Sequence, residues 1–149
     1  MAPIRNSRKK IRPAARESVA VSGAGAILPA WKKNFVIGID DCVCIADSRG
    51  RLSAQAIAGA REIAGAKEWT NKLYDEGHQI CFFTTRPGKF RAATEKWLKL
   101  RGFKYHSLVM DKPEALQYHY IDDRHVQATT FRGKFSPLIR KEHRIEVFG

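Results

Sequence analysis

The sequence predicts an α/β fold: a Rossmann-like, three-layer core with a parallel sheet between helices, preceded by a basic N-terminal arm. Two observations predict it. Short apolar runs alternate with helix-prone stretches across residues 34–130. Strand–helix alternation of this kind argues for a parallel sheet with helices on both faces. Chemistry-bearing residues stand just past the apolar runs, at Asp40-Asp41, Thr84-Thr85-Arg86 and Asp122-Asp123. That is the rim where open parallel sheets collect ligands.

Taken in order, Phe35-Val-Ile-Gly-Ile39 reads as a strand buried on both faces. Ala54 to Glu76 reads as one helix, with Ile57, Ile63, Ala66, Thr70, Leu73 and Tyr74 near helical spacing. Gly59 and Gly65 weaken its first half, and Gly77 is placed to stop it. Gln79–Phe83 is the second strand. Phe90 to Arg101 is an amphipathic helix with Phe90, Ala93, Thr94, Trp97 and Leu98 on one face, ending at Gly102. Ser107–Met110 is a third strand, Pro113–Leu116 a short helical start, and Tyr118–Ile121 a fourth strand.

Charge divides the chain into three parts. Residues 1–33 carry eight Arg or Lys, including Arg5, Arg8, Lys9, Lys10, Arg12 and Arg16, against Glu17 alone. They read as a basic extended arm, because neither period of 2 nor 3.6 is sustained. Residues 34–130 hold the folded domain and are nearly neutral, with fourteen bases and twelve acids. Residues 131–149 form a short basic extension, with five bases and two acids. The arm can be a solvated tail, a transit peptide or a tether to RNA, DNA or a large assembly.

No apolar run reaches the roughly 18–20 residues that span a bilayer. No compact apolar stretch follows the N-terminal charges, so a secretory signal is not expected. Cys42, Cys44 and Cys81 lack CxxC spacing, which points to buried thiols in a reducing, intracellular compartment, cytoplasmic or an organellar matrix. The five histidines show no ligand spacing, and Trp31, Trp69 and Trp97 read as packing residues.

Asn71-Lys-Leu-Tyr-Asp-Glu-Gly-His78, Phe82-Phe-Thr-Thr-Arg-Pro87, Lys104-Tyr-His106 and Tyr120-Ile-Asp-Asp-Arg124 occur in order. In these the chain, over about Asn34 to Arg124, resembles the haloacid dehalogenase-like (HAD) superfamily. It closely resembles the small capsule-biosynthesis phosphatase-type members. Their first strand leads into D-x-D-G-T; here the stretch reads Gly38-Ile39-Asp40-Asp41-Cys42. The resemblance implies that Gly38 stands where the phosphoryl-accepting aspartate belongs. It assigns Asp40 to the general acid/base, Thr84 to the phosphate-binding hydroxyl and Lys112 to the phosphate-neutralising ammonium. It assigns Mg²⁺ to Asp122 and Asp123, with Asp40.

Glycine offers no oxygen for covalent phosphoryl transfer, and its loss removes a metal ligand, so Mg²⁺ binding is expected to be weakened or absent. The expectation is a pseudoenzyme: an HAD-like domain without phosphatase turnover, kept as a binding or structural component. The alternative is a Mg²⁺-dependent phosphatase on a small sugar phosphate or similar monoester, with the register slipped by two so that Asp40 is the nucleophile.

Overall fold

The computed structural model describes residues 28–46 and 50–131. Arg5, Arg8, Lys9, Lys10, Arg12 and Arg16 of the arm, and all but the first residue of the C-terminal extension, lie outside them. The described chain is a small α/β unit. Strands β1 (Asn34–Ile37), β2 (Gln79–Phe83) and β3 (Ser107–Val109) form one parallel sheet in the order β1-β2-β3. Helices α1 (Ala54–Gly59) and α2 (Ala66–Asp75) connect the first pair, and α3 (Arg91–Arg101) connects the second. None of these helices is long and apolar enough to cross a membrane.

The register explains which face carries the core. Paired residues on neighbouring strands point the same way. Phe35 pairs with Ile80, and Ile37 with Phe82, which pairs in turn with Leu108. This row is covered: Ile80 and Phe82 are fully buried, and Phe35 and Ile37 pack against the buried cluster. The Phe82 ring meets Phe103 at 5.9 Å and Tyr105 at 5.5 Å, while Phe35 meets Trp69 of α2 edge-on at 5.8 Å. The opposite row holds Val36, Cys81 and Ser107, with Phe83 beside Val109. Here Val36 is 58% exposed and Val109 43%.

Chain order accounts for this asymmetry. Two right-handed crossovers that advance in the same direction put their helices on the same face. The second helical layer expected from the sequence is therefore not among the described residues. Nor is the first strand buried on both faces, as expected for Phe35–Ile39; it is shorter and lies at the sheet's edge.

Two further expectations change. The helix read over Ala54–Glu76 is interrupted between α1 and α2. Ser53 caps α1 by accepting from the Ala56 N–H at 3.0 Å. Gly65, at φ +83°, then supplies the left-handed residue from which α2 starts. Between them the backbone pairs with the loop after β1: Ile45 N–H donates to Arg61 O at 2.8 Å and Ile63 N–H to Val43 O at 2.9 Å. Each glycine costs a continuous helix about 1 kcal/mol relative to alanine, and these bonds supply the alternative.

The strand read at Tyr118–Ile121 is not a strand, and Pro113–Leu116 is not helical. Only eight residues, 110–117, separate β3 from Tyr118. A parallel neighbour needs a crossover of a dozen or more. Leu116, Tyr118, Tyr120 and Ile121 are all exposed. The chain instead continues to Gln127, whose Oε1 accepts from Lys33 Nζ at 2.8 Å beside the start of β1. Phe131 then packs, half-buried, against the core.

Candidate functional site

The carboxyl end of β1 runs into a tight loop. Ile39 is buried, and its carbonyl accepts from the backbone N–H groups of Cys42, Val43 and Cys44 at 2.9–3.2 Å. Asp41 takes φ +58°, a conformation that aspartate tolerates better than most residues. Its N–H donates to Cys44 O at 2.8 Å, and its Oδ1 accepts from Ala46 N–H at 3.1 Å. Asp41 is thus a loop-closing residue.

Gly38 faces this loop. A Cβ built on it would meet Cys42 Sγ at 2.9 Å. The space next to the backbone at residue 38 is therefore occupied by a thiol. Burial pushes the Cys42 thiol above its ordinary pKa, with Lys112 pulling it back and Asp41 and Asp40 adding to the rise. It is a protonated, half-buried sulfur at neutral pH.

Asp40 does not stand free. Arg86, only 2% exposed, grips it with two bonds: Nε to Oδ2 at 2.9 Å and Nη2 to Oδ1 at 2.7 Å. The same guanidinium donates from Nη1 to Thr94 Oγ1 at 3.2 Å and contacts Cys44 Sγ at 3.4 Å. Such a two-point match of planar groups is the strong geometry for an arginine–carboxylate pair. The sequence places Arg86 at the rim and Thr94 on a helix face, without assigning either to Asp40. The signal was present: two adjacent carboxylates packed at a strand end require a counter-charge.

Cys44 is sealed beside this pair, and burial, helped by the Asp40 carboxylate, pushes its thiol from an ordinary 9.0 up to about 12. The sign follows directly. As pH rises past 9 the unfolded chain gives up this proton while the folded one keeps it, so the unfolded state is favoured. Stability from this group is constant below pH 9 and falls between 9 and 12. Urea unfolding of the wild type and Cys44→Ala across that range should show a steeper decline in the wild type.

Thr84 is 3% exposed and accepts from Arg86 N–H at 3.2 Å. Its carbonyl accepts from Lys112 N–H at 3.0 Å, which brings the two backbones together. The Lys112 ammonium lies 3.7 Å from the centre of the Tyr118 ring and 5.3 Å from that of Phe83. Asp111 (φ +60°) steadies this rim by accepting from Gly88 N–H at 3.0 Å. A hollow of about 340 Å³ opens beside Asp40, bordered by Arg51, Thr85, Pro87 and Glu114. A larger one, of about 690 Å³, lies behind α3 among Lys96, Lys99 and Lys104 and holds none of the predicted site residues.

Asp122 and Asp123 lie in irregular chain beyond β3. Both are exposed. Asp122 accepts from Tyr120 Oη at 2.7 Å and Arg124 N–H at 2.9 Å, bonds that hold its pKa below the usual carboxylate value. Asp123 lies 3.8 Å from Arg124 Nε in open solvent. Among the described residues no three His, Cys, Asp or Glu side chains are grouped to hold a metal. As placed here, Asp40, Asp122 and Asp123 are not grouped to hold a magnesium ion: the first has both oxygens on Arg86, and the others are engaged with Tyr120 and Arg124. The histidines that pack also serve the backbone. His78 Nδ1 accepts from Lys33 N–H and His106 Nδ1 from Ile80 N–H, both at 3.1 Å, and burial lowers both pKa values.

No family model matches the sequence, and no curated protein does. Among solved structures, the chain is similar to one in the structure of the Pnkp1/Rnl/Hen1 complex, at 15% identity and a TM-score of 0.49. The likeness covers 78% of this chain and 42% of that one, so the present chain spans less than half of its neighbour's length.

Proposed function

We propose that this chain is a pseudoenzyme of HAD-like type, a domain that has lost phosphomonoester hydrolysis and acts as a binding or structural component. Its basic ends would tether it to nucleic acid or to a large assembly. The contact at Gly38 carries the reading. Where covalent phosphoryl transfer needs a carboxylate, the chain has a bare backbone with Cys42 Sγ 2.9 Å from the nearest side-chain position. The two-point Arg86 pair on Asp40 supports it, because a carboxylate with both oxygens engaged is a poor nucleophile and a poor proton donor. What remains at the rim is Thr84 and Lys112, a hydroxyl and an ammonium suited to contacting a phosphate without cleaving it.

Two measurements test this. With Mg²⁺ present, phosphate release from p-nitrophenyl phosphate and from a hexose phosphate is expected at the rate of buffer alone. Magnesium-dependent release above that rate would overturn the reading in favour of a phosphatase acting through Asp40. The tether is tested by salt titration of binding to single-stranded RNA and duplex DNA. Replacing Arg5, Arg8, Lys9, Lys10, Arg12 and Arg16 with glutamine should lower the log–log salt slope by about 4–5, at roughly 0.7–0.9 per lost phosphate contact. Equal slopes and affinities for both proteins would refute it.

A further inference from the structure

We propose that the outer face of α3, around Lys96, Lys99 and Lys104, binds the phosphate backbone of a single-stranded nucleic acid. The proposal shares its class of partner with the tether above, but puts a second contact on the folded domain itself. The near-neutral charge of residues 34–130 conceals a polarity. Residues 77–110 hold seven bases and one acid, while the remainder of 34–130 holds seven bases and eleven acids. Of the seven, Arg86 is buried on Asp40, and Arg101 lies against Trp97 and donates to Ala60 O. Lys96, Lys99 and Lys104 are exposed and line the hollow of about 690 Å³ beside α3.

The sequence of α3 builds this face. Thr94, Trp97 and Leu98 turn into the core, which leaves Lys96 and Lys99 outside and three residues apart, as neighbours on the helix surface. Like charges so placed repel each other. The helix dipole favours a cation in the last turn and so accounts for Lys99, but Lys96 precedes that turn. Neither lysine has an ion-pair partner among the described residues. The acid in the hollow, Glu95, accepts from Arg91 at 3.3 Å. Lys104 donates to Asp75 at 2.8 Å, in a pair about half exposed to water that a phosphate can replace. Phe103 and Tyr105 complete the lining. Tyr105 Oη has no hydrogen-bond partner among the described residues. Burial, with Glu95 adding and Arg91 opposing, raises its pKa, so the phenol stays a donor. Ammonium groups along a groove, beside aromatic rings, are what holds single strands. A membrane surface is the poorer occupant, because only Leu100 of the large apolar side chains on α3 is exposed.

The test is fluorescence anisotropy of a labelled oligouridine across salt concentrations, in the full chain with Arg5, Arg8, Lys9, Lys10, Arg12 and Arg16 replaced by glutamine. This protein should still bind at low salt. Adding K96Q/K99Q/K104Q should weaken binding about tenfold or more and lower the log–log salt slope by about 2, at roughly 0.7 per lost contact. Adding R61Q/K72Q/R124Q instead removes the same charge outside the hollow, and should weaken binding less than about threefold. Three results overturn the proposal: no binding by the arm-substituted chain, equal affinity with and without K96Q/K99Q/K104Q, or an equal loss from the two triple variants. Tighter binding to phosphatidylserine vesicles than to the RNA, lost in K96Q/K99Q/K104Q, also overturns it and assigns the face to a membrane. The tether is read separately, from the wild type against the arm-substituted chain, so either reading can fail alone.

Discussion

Asp40→Asn is expected to lower the unfolding free energy by about 3 kcal/mol, seen in urea as a midpoint lower by about 1.5 M at a typical slope. The cost arises on the partner. Arg86 is 2% exposed and always protonated, so losing the carboxylate leaves a buried cation with Thr94 Oγ1 and a weakly polar sulfur as its remaining side-chain contacts. The Asp40 side chain is 30% exposed, which places the loss at the lower end of the range for breaking a buried pair. Removing both charges isolates the cause. Asp40→Leu with Arg86→Met should cost clearly less than Asp40→Asn alone, because no charge is stranded. A loss below about 1 kcal/mol for the single variant would mean that the pair is not held in solution. Asp40 would then be free for chemistry, and the inert reading of the site would lose its second support.

The same pair shows where sequence reading stops. Local patterns located β2 at Gln79–Phe83 to the residue and α3 to within one, because both carry strong periodicity and clear stops at Phe83 and Gly102. They also placed Asp40, Thr84 and Lys112 at one rim, since that follows from strand ends alone. Arg86 stands at the same rim in the sequence, but that its side chain turns inward to Asp40, 46 residues away, is a tertiary fact. Asp122 and Asp123 failed for a countable reason. The motif around them matches in residue type, but the eight residues after β3 are too few for a parallel crossover, and the expected strand that would carry them to the rim does not form. Residue type was legible there, and connection length, also legible, outweighed it.

The loop after β1 and the interrupted helix complete the physical case at Gly38. Ile39, Val43 and Cys44 are all essentially inaccessible, so the loop that puts Cys42 Sγ against residue 38 is held by buried side chains. The backbone bonds to residues 61–63 fix its far side. A carboxylate introduced at residue 38 would have to displace a thiol from a closed loop. Overpacking of that kind costs about 1–3 kcal/mol, which explains in structural terms why glycine suits this position in this chain.

The second large effect is expected from Trp97, where α3 is joined to the rest of the fold. Its side chain is 2% exposed, stacks on Phe103 at 5.6 Å between ring centres, and donates from Nε1 to Ala60 O at 3.0 Å. Ala60 ends α1, so this one residue ties α3 to the break between α1 and α2. Trp97→Ala should cost about 4 kcal/mol through lost burial and the cavity left behind, lowering the thermal midpoint by about 20 °C for a domain of this size. Trp97→Phe separates the two contributions. It keeps most of the ring contact and deletes the hydrogen bond, yet Ala60 O is not stranded, because Arg101 Nη2 also donates to it at 3.2 Å. Its cost should therefore stay near 1 kcal/mol. If Phe proves as damaging as Ala, the indole N–H rather than packing secures α3; if Ala is as mild as Phe, the contact between α3 and α1 does not hold the domain together.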